Sequence, residues 1–122
     1  MKLPEDVRKR LAEERNIWIA TVRPSGRPHL MPVWFVYTGD GLYVCIEPES
    51  VKGRNLQANS NVCLALEGGS HPVICEGEAS LAAPPWPEEP VSLFRAKYDW
   101  DITAETRYTR LVRVTPRKWL HW

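Results

Sequence analysis

Short β-strand-like segments follow one another closely along this chain, and they limit its fold more than any other feature. Two of them, residues 29–37 and 42–47, flank the link "TGDG", which is a strong signal for an antiparallel hairpin. Pro32 lies inside the first of these two and has no N–H to donate, so we expect it at a sheet edge or a bulge. The strands are predicted at residues 16–22, 29–37, 42–47, 61–67, 72–81 and 106–114. Short strands with short links indicate a mainly β fold, a six-stranded antiparallel barrel with a few short helices.

Helices are predicted at three places outside these strands. Apolar residues recur at helical spacing near the N-terminus, at Leu3, Val7 and Leu11. Ser50 is expected to cap a second helix of about two turns. Residues 91–100 are predicted to form the third, after a proline-rich stretch. The chain shows no internal repeat, so residues 1–122 are expected to form a single domain.

Charge and cysteine usage exclude several classes of protein. With 16 basic and 15 acidic residues, the formal net charge is +1, which argues against a nucleic-acid partner. Three cysteines, an odd number without close pairs, disfavour a disulfide framework and favour the reducing cytoplasm. The three histidines lack zinc-site spacing, and no segment resembles a membrane span or a signal peptide. We therefore expect a cytoplasmic protein without a metal site.

The stretch "SVKGRN", residues 50–55, is the strongest candidate for a ligand site. It begins a predicted helix, whose free N–H groups and dipole attract an anion. Ser50 offers a hydroxyl, Lys52 a positive charge, and Arg54 and Asn55 further donors. Many surface helices begin in this way and serve only as connectors, so the residues alone leave both interpretations open.

Three stretches resemble the flavin-binding split-barrel family related to pyridoxamine 5′-phosphate oxidase. They are "GRPHLMPVWF" (26–35), "KGRNLQANSNVCLAL" (52–66) and "RYTRLVRVTPRKW" (107–119). The resemblance covers roughly residues 4 to 115 and implies a homodimeric split β-barrel. It also implies that FMN or the deazaflavin coenzyme F-420 lies in a groove at the dimer interface, where hydride passes between the cofactor and a small organic substrate.

The resemblance also implies roles for individual residues. Lys52 is expected to bind the cofactor phosphate, with Ser50 and Asn55 donating beside it and Arg54 pointing to solvent or to the partner chain. The cofactor ring is expected against the backbone of two strands, at Val33, Trp34, Phe35, Cys45, Ile46 and Glu47. His29 stands where deazaflavin-using members carry a histidine near the cofactor, although an ordinary exposed residue at a strand start is the alternative.

Basic and aromatic residues collect at the C-terminal end of the chain. They are either solvated edge-strand residues or a wall that faces an anionic ligand. On the family resemblance, Arg113 and Arg117 are expected to meet the polyglutamyl tail of coenzyme F-420. Trp119 and Trp122 either cover the groove from the other subunit or only pack at the dimer interface.

No catalytic side chain is predicted, because the cofactor carries the chemistry and no hydrolase triad or Walker-type loop is evident. The chain ends at Trp122, before the basic C-terminal segment of true pyridoxamine phosphate oxidases, so that activity itself is not expected. The resemblance favours an FMN- or F-420-dependent oxidoreductase. The rivals are a non-enzymatic carrier or sensor of flavin or haem, with His29 or His71 as a haem ligand, and a barrel that has lost its ligand.

Overall fold

The structure, a computed structural model, describes residues 2–122, and one curled antiparallel sheet dominates it. Its strands are β1 (Ile17–Val22), β2 (Pro28–Val33), β3 (Val36–Thr38), β4 (Gly41–Ile46), β5 (Asn61–Leu66), β6 (Val73–Leu81) and β7 (Arg110–His121). The helices are α1 (Glu5–Glu13), α2 (Val51–Ala58) and α3 (Glu88–Tyr98), with a 3₁₀ turn at Ile102–Ala104. The predicted fold class is confirmed, although residues 2–122 contain seven strands and not six.

The seventh strand arises because the predicted strand 29–37 breaks at Trp34 and Phe35. The strand order across the sheet is β2-β1-β5-β6-β7-β4-β3, so β2 and β3 are its two edges although they are consecutive in the chain. This bend therefore joins the two sheet edges covalently. Within the described sheet β2 pairs with β1 alone and places Pro32 opposite Trp18, so the predicted edge position of Pro32 is confirmed.

The last strand begins later and ends later than predicted, since it continues to His121 instead of ending at residue 114. Its register against β6 shifts just before Gly77, which lies opposite Pro116. Because Pro116 cannot donate to the ladder, this bulge lets the strand continue past it. A Cβ atom on Gly77 would lie 2.5 Å from the carbonyl oxygen of Thr115, so the bulge requires a residue without a side chain.

Two apolar clusters stabilise the fold. The larger fills the inside of the curled sheet and includes the predicted apolar face at the N-terminus, since Leu3, Val7 and Leu11 are all buried. The smaller lies between α3 and the outer face of β4 and β7, and comprises Val36, Tyr43, Cys45, Phe94, Tyr98, Ile102 and Leu111. Alternate residues of β4 from Leu42 to Ile46 enter the two clusters, which explains why both faces of this strand are buried.

Helix α3 begins and ends earlier than the predicted span 91–100. Asp99 adopts the left-handed conformation, with φ 53°, and its N–H donates to the carbonyl of Arg95, so the helix stops before Trp100. Trp100 consequently lies on the connection to the 3₁₀ turn, where its ring packs edge to face on Phe94 at 5.4 Å. The early helix end thereby brings the ring of Trp100 close to that of Trp34.

Candidate functional site

Helix α2 begins where the sequence predicts, with Ser50 as its N-cap. The Ser50 hydroxyl accepts a hydrogen bond from the Gly53 N–H at 3.1 Å and donates to the carbonyl of Glu47 at 2.7 Å. Its single proton is therefore already used within the cap. Gly53 packs closely on the preceding turn, because a Cβ atom there would lie 2.6 Å from the carbonyl oxygens of both Glu47 and Pro48.

The other polar residues of this helix point in different directions. Asn55 is 3% exposed, and its amide nitrogen donates to the hydroxyl of Thr21 at 3.0 Å, which ties α2 to β1. Arg54 is exposed, whereas Lys52 is half-buried. Of the three predicted phosphate-binding residues, Ser50, Lys52 and Asn55, Lys52 alone lines the neighbouring cleft.

This cleft, which we call the Trp34 cleft, has a volume of about 510 Å³ and opens beside the bend between β2 and β3. Its walls are formed by Asn16, Met31, Pro32, Val33, Trp34, Cys45, Glu47, Lys52, Trp100, Glu105 and Tyr108. Five of the predicted site residues thus meet there: Val33, Trp34, Cys45, Glu47 and Lys52. The side chains of Phe35 and Ile46 are fully buried in the core and do not line it.

One end of the cleft, the aromatic end, consists of Trp34, Trp100 and Tyr108. Trp34 stacks on Tyr98 with ring centroids 4.5 Å apart and planes 9° apart, and Trp100 meets Trp34 edge to face at 5.8 Å. Tyr108 meets Trp100 in the same way at 6.1 Å. Sequence analysis missed Trp100 and Tyr108 as site residues, because their connection to Trp34 exists only in the folded chain.

A second part of the cleft, which we call the lysine end, contains Lys52 from the first turn of α2. His29 lies near it, and the pKa of its imidazole is lowered by burial first and then by the charges of Arg23 and Lys52. Nδ1 of His29 is buried and has no hydrogen-bond partner among residues 2–122. An anion at this end would be attracted by Lys52 and by the free N–H groups of the helix.

Two carboxylates, Glu47 and Glu105, also line the cleft, and both have partners. Glu105 accepts hydrogen bonds from the indole N–H of Trp100 at 2.9 Å and from the backbone N–H of Arg107 at 3.1 Å, which lowers its pKa. Glu47 pairs with the guanidinium of Arg107 at 3.0 Å. Burial, followed by the charge of Glu105, raises the pKa of Cys45 to about 12, so this thiol stays protonated and is a poor nucleophile.

The predicted C-terminal candidates lie away from this cleft within one protomer. Arg117 pairs with Glu78 and reaches the side chain of Asn61 at 3.4 Å. Trp119 packs edge to face on Tyr37 at 6.2 Å. Trp122 is 73% exposed at a separate cleft beside α1, which His71 also lines.

Residues 2–122 show neither a membrane-spanning helix nor a metal-binding cluster. Within this part of the chain, no helix is long and apolar enough to cross a membrane. Nor does it contain a group of three or more His, Cys, Asp or Glu residues placed to hold a metal ion.

Comparison with known proteins agrees with the family resemblance of the sequence. Residues 3–122 match the family model described as pyridoxamine 5′-phosphate oxidase. No curated protein matches the chain in sequence. Among solved structures, the chain is similar to HutZ, the heme storage protein from Vibrio cholerae, with 19% identity over 99% of this chain and 95% of that chain and a TM-score of 0.80.

Two further solved structures are similar to this one. One is an F420 reductase, with 22% identity over 97% of this chain and 98% of that chain and a TM-score of 0.77. The other is a conserved hypothetical protein from Mycobacterium tuberculosis, with 22% identity over 100% and 86% of the two chains and a TM-score of 0.79. At these identities the likeness establishes the fold alone, and the activities named for those proteins are theirs.

Proposed function

The chain belongs to the pyridoxamine 5′-phosphate oxidase family, and from that premise we propose that the Trp34 cleft binds a flavin-type cofactor, FMN or coenzyme F-420. The bound cofactor supplies hydride transfer to or from a small organic substrate, which makes the protein an oxidoreductase. The three cysteines are free thiols, which supports a reducing, cytoplasmic location.

This proposal rests on one observation, that a lysine and three aromatic side chains line the same cleft. Lys52 is half-buried in the first turn of α2, beside the helix N–H groups. Trp34, Trp100 and Tyr108 offer apolar ring surface at the other end. Both cofactors carry a planar three-ring system and a phosphate group, so the two ends of the cleft fit the two parts of the ligand.

The residues of the lysine end have different tasks in this proposal. Lys52 supplies the charge that binds phosphate, and the N–H groups of the first helical turn donate beside it. Ser50 shapes this turn, since its hydroxyl is used within the cap. Asn55 fixes the helix on β1 through Thr21. Both residues then act by building the phosphate site and not by touching the phosphate.

A homodimer is part of the proposal, because an apolar face of the sheet is exposed. Trp18 is 37% exposed and Leu30 is 57% exposed, and both lie on the face of β1 and β2 that points away from the core. Ala65 of β5 is paired with Trp18 on the same face. A second copy that covers this face would bury these side chains and place its own residues near the open Trp34 cleft.

The test measures binding of FMN and of coenzyme F-420 to purified, cofactor-stripped protein, with fluorescence quenching as the readout. Micromolar or tighter binding of one of them, together with turnover using a nicotinamide or deazaflavin reductant, is the expected result. Protein that binds neither at millimolar ligand would overturn the proposal. Light scattering on the same samples measures whether the protein is dimeric.

The choice between the two cofactors is tested at Arg113 and Arg117. Within a protomer neither residue lines the Trp34 cleft, so in this proposal they meet the polyglutamyl tail of F-420 outside that cleft or from the second subunit. Reversal of both charges, by Arg113→Glu and Arg117→Glu, is expected to weaken F-420 binding far more than FMN binding. Equal losses for both cofactors would contradict tail binding at these residues.

The second candidate function is a carrier or sensor of flavin or haem without turnover. It is favoured by the half-buried imidazole of His29, which lies near Lys52, and by the structural likeness to a heme storage protein. A neutral imidazole is the form that ligates haem iron, and the lowered pKa of His29 maintains that form. A haemin titration followed by absorbance, with His29→Ala and His71→Ala as variants, separates this candidate from the oxidoreductase.

A further inference from the structure

The bend at Trp34 and Phe35 leaves backbone groups without partners in the sheet. Strand β2 ends at Val33 and β3 begins at Val36, so Phe35 lies outside both ladders. Its side chain is completely buried. A buried N–H or C=O group without a partner is costly, so something outside the sheet must satisfy Phe35.

The last two residues of α3 meet this need. The hydroxyl of Tyr98 accepts from the Phe35 N–H at 3.0 Å. The same hydroxyl lies 2.7 Å from the Arg15 carbonyl and 3.0 Å from the Phe35 carbonyl, and with one proton it donates to one of them at a time. Lys97 Nζ donates to the Phe35 carbonyl at 3.0 Å and to the Leu11 carbonyl at 3.3 Å, so Phe35 stays satisfied when Tyr98 donates to Arg15.

These contacts extend to the wall of the Trp34 cleft. Trp34 precedes Phe35 in the chain and stacks on the ring of Tyr98. The guanidinium carbon of Arg15 lies 4.7 Å from the Tyr98 ring centroid and 5.5 Å from that of Trp34. Trp34 is nevertheless 44% exposed and lines the cleft, whereas neither Lys97 nor Tyr98 does.

We propose that Lys97 and Tyr98 are positioning residues of the Trp34 cleft, which act through Phe35 to hold the ring of Trp34 where a planar ligand stacks on it. The claim that Trp34 is held rests on contacts within this chain. The claim that a planar ligand uses Trp34 rests on the proposed function.

The charge of Lys97 makes this arrangement sensitive to pH. Burial and the charge of Arg15 lower the pKa of Lys97 to about 8, and Glu14 opposes them. Burial is also the main cause that raises the pKa of Tyr98, so its hydroxyl stays protonated through this range. When Lys97 loses its proton, it loses one donor and the charge that strengthens its bonds to the Phe35 and Leu11 carbonyls. The hold on the bend should therefore weaken as the pH rises through about 8.

The first experiment uses no variant of the positioning residues. Near-ultraviolet circular dichroism of the wild type and of Trp34→Leu is measured from pH 6.5 to 9.5, and the difference spectrum reports the signal that depends on Trp34 and on its contacts with Tyr98 and Trp100. We expect this Trp34-dependent signal to change with a midpoint near pH 8. A signal that is constant over the whole range would overturn the pH sensitivity.

The second experiment compares Lys97→Met and Tyr98→Phe with wild type, and uses Lys118→Met as the control because Lys118 is an exposed lysine on β7. Tyr98→Phe keeps the stacked ring but removes the hydroxyl that serves Phe35. Both variants are expected to lose Trp34-dependent dichroism at pH 7, and Lys97→Met to lose the change near pH 8. The control should keep both. A wild-type spectrum in Lys97→Met and Tyr98→Phe would overturn the proposal.

Ligand binding then separates the proposal from the function on which it rests. If FMN or F-420 binds to wild type, Tyr98→Phe should weaken it roughly 3- to 10-fold, the equivalent of one buried hydrogen bond. Altered dichroism with unchanged affinity would show that Trp34 is held but does not serve the ligand, which overturns that half of the proposal. Altered dichroism in a protein that binds neither cofactor would support the positioning of Trp34 and refute the proposed function.

Discussion

The two ends of the Trp34 cleft are built in different ways. At the lysine end, Ser50 caps the helix that carries Lys52, and the cap contacts run only from Glu47 to Gly53. The aromatic end combines Trp34 from the bend with Trp100 and Tyr108 from the connection between α3 and β7. A local turn therefore places the charge, whereas core packing places the rings. Damage to the aromatic end should consequently reduce stability and binding together, and damage at the lysine end should separate them.

The largest effect is expected from Phe94→Ala, which removes the support of the aromatic end. Phe94 is completely buried, stacks on Tyr98 at 5.9 Å and meets Trp100 edge to face at 5.4 Å. Truncation of such a ring lowers the free energy of unfolding by about 3–5 kcal/mol. Urea unfolding measures this loss, and binding of riboflavin, which has the ring system but no phosphate, should fall with it.

The control for this change is Phe94→Leu, which keeps most of the apolar volume. It should cost less than about 1.5 kcal/mol, in line with other hydrophobic substitutions of similar volume. A Phe94→Ala variant that binds riboflavin like wild type would show that the aromatic wall does not depend on the core cluster beneath it.

Lys52→Ala is the matching change at the lysine end. Loss of a charge-assisted hydrogen bond should weaken FMN binding by roughly 1–3 kcal/mol, while riboflavin binding and the free energy of unfolding stay near wild type. Parallel titrations with FMN and riboflavin measure the difference. Lys118→Ala, at an exposed position of β7, serves as the control and should change neither the two ligand affinities nor the free energy of unfolding. Unchanged FMN affinity in Lys52→Ala would mean that the phosphate lies elsewhere.

Ser50→Ala should have a smaller effect, and mainly on stability. Removal of an N-cap hydroxyl costs about 1 kcal/mol, since the Gly53 N–H loses its acceptor. Because the Ser50 proton already serves the Glu47 carbonyl, FMN affinity should fall much less than in Lys52→Ala. Ser50→Thr restores a capping hydroxyl and should recover stability in urea unfolding. A larger loss of FMN affinity than of stability would show instead that Ser50 binds the phosphate.

The lysine end could be predicted from the sequence because its signals are local. A serine before a short polar run indicates a helix start, and the structure places Ser50 as that cap and Lys52 in the cleft. Directions of side chains were harder to predict. Asn55 looks like a donor in the sequence, but the helix turns it toward β1, where the amide bonds to Thr21.

The aromatic end could not be predicted in the same way. The apolar run 29–37 has no turn residue at Trp34 and Phe35, so its break depends on Lys97 and Tyr98, which are distant in sequence. The end of α3 could not be predicted from the sequence either, because Asp99 adopts a left-handed conformation that its neighbours in the sequence do not require. These two local departures from regular structure bring Trp34 and Trp100 together.

The pKa of His29 offers a finer probe of the lysine end. It lies below 6.5 in the folded protein, so the unfolded chain takes up a proton more readily, and this residue reduces stability as the pH falls below about 6.5. Lys52→Ala removes one of the charges responsible and should raise this pKa, and bound phosphate should raise it too. Titration of the imidazole signals by NMR measures both changes. Arg27→Ala, a substitution at a nearby exposed position, should leave the pKa of His29 unaltered.

The smallest effect is expected at the ion pair between Arg107 and Glu47, which spans the two ends. Both side chains are solvent-accessible, and exposed pairs of this kind contribute little and are screened by salt. Arg107→Gln should leave urea unfolding unchanged within error and alter FMN affinity by at most about twofold at physiological salt. The double variant with Glu47→Gln tests for coupling, which should vanish at high salt. Strong coupling that survives high salt would contradict the view that the two ends are built independently, because it would make the pair a structural link between them.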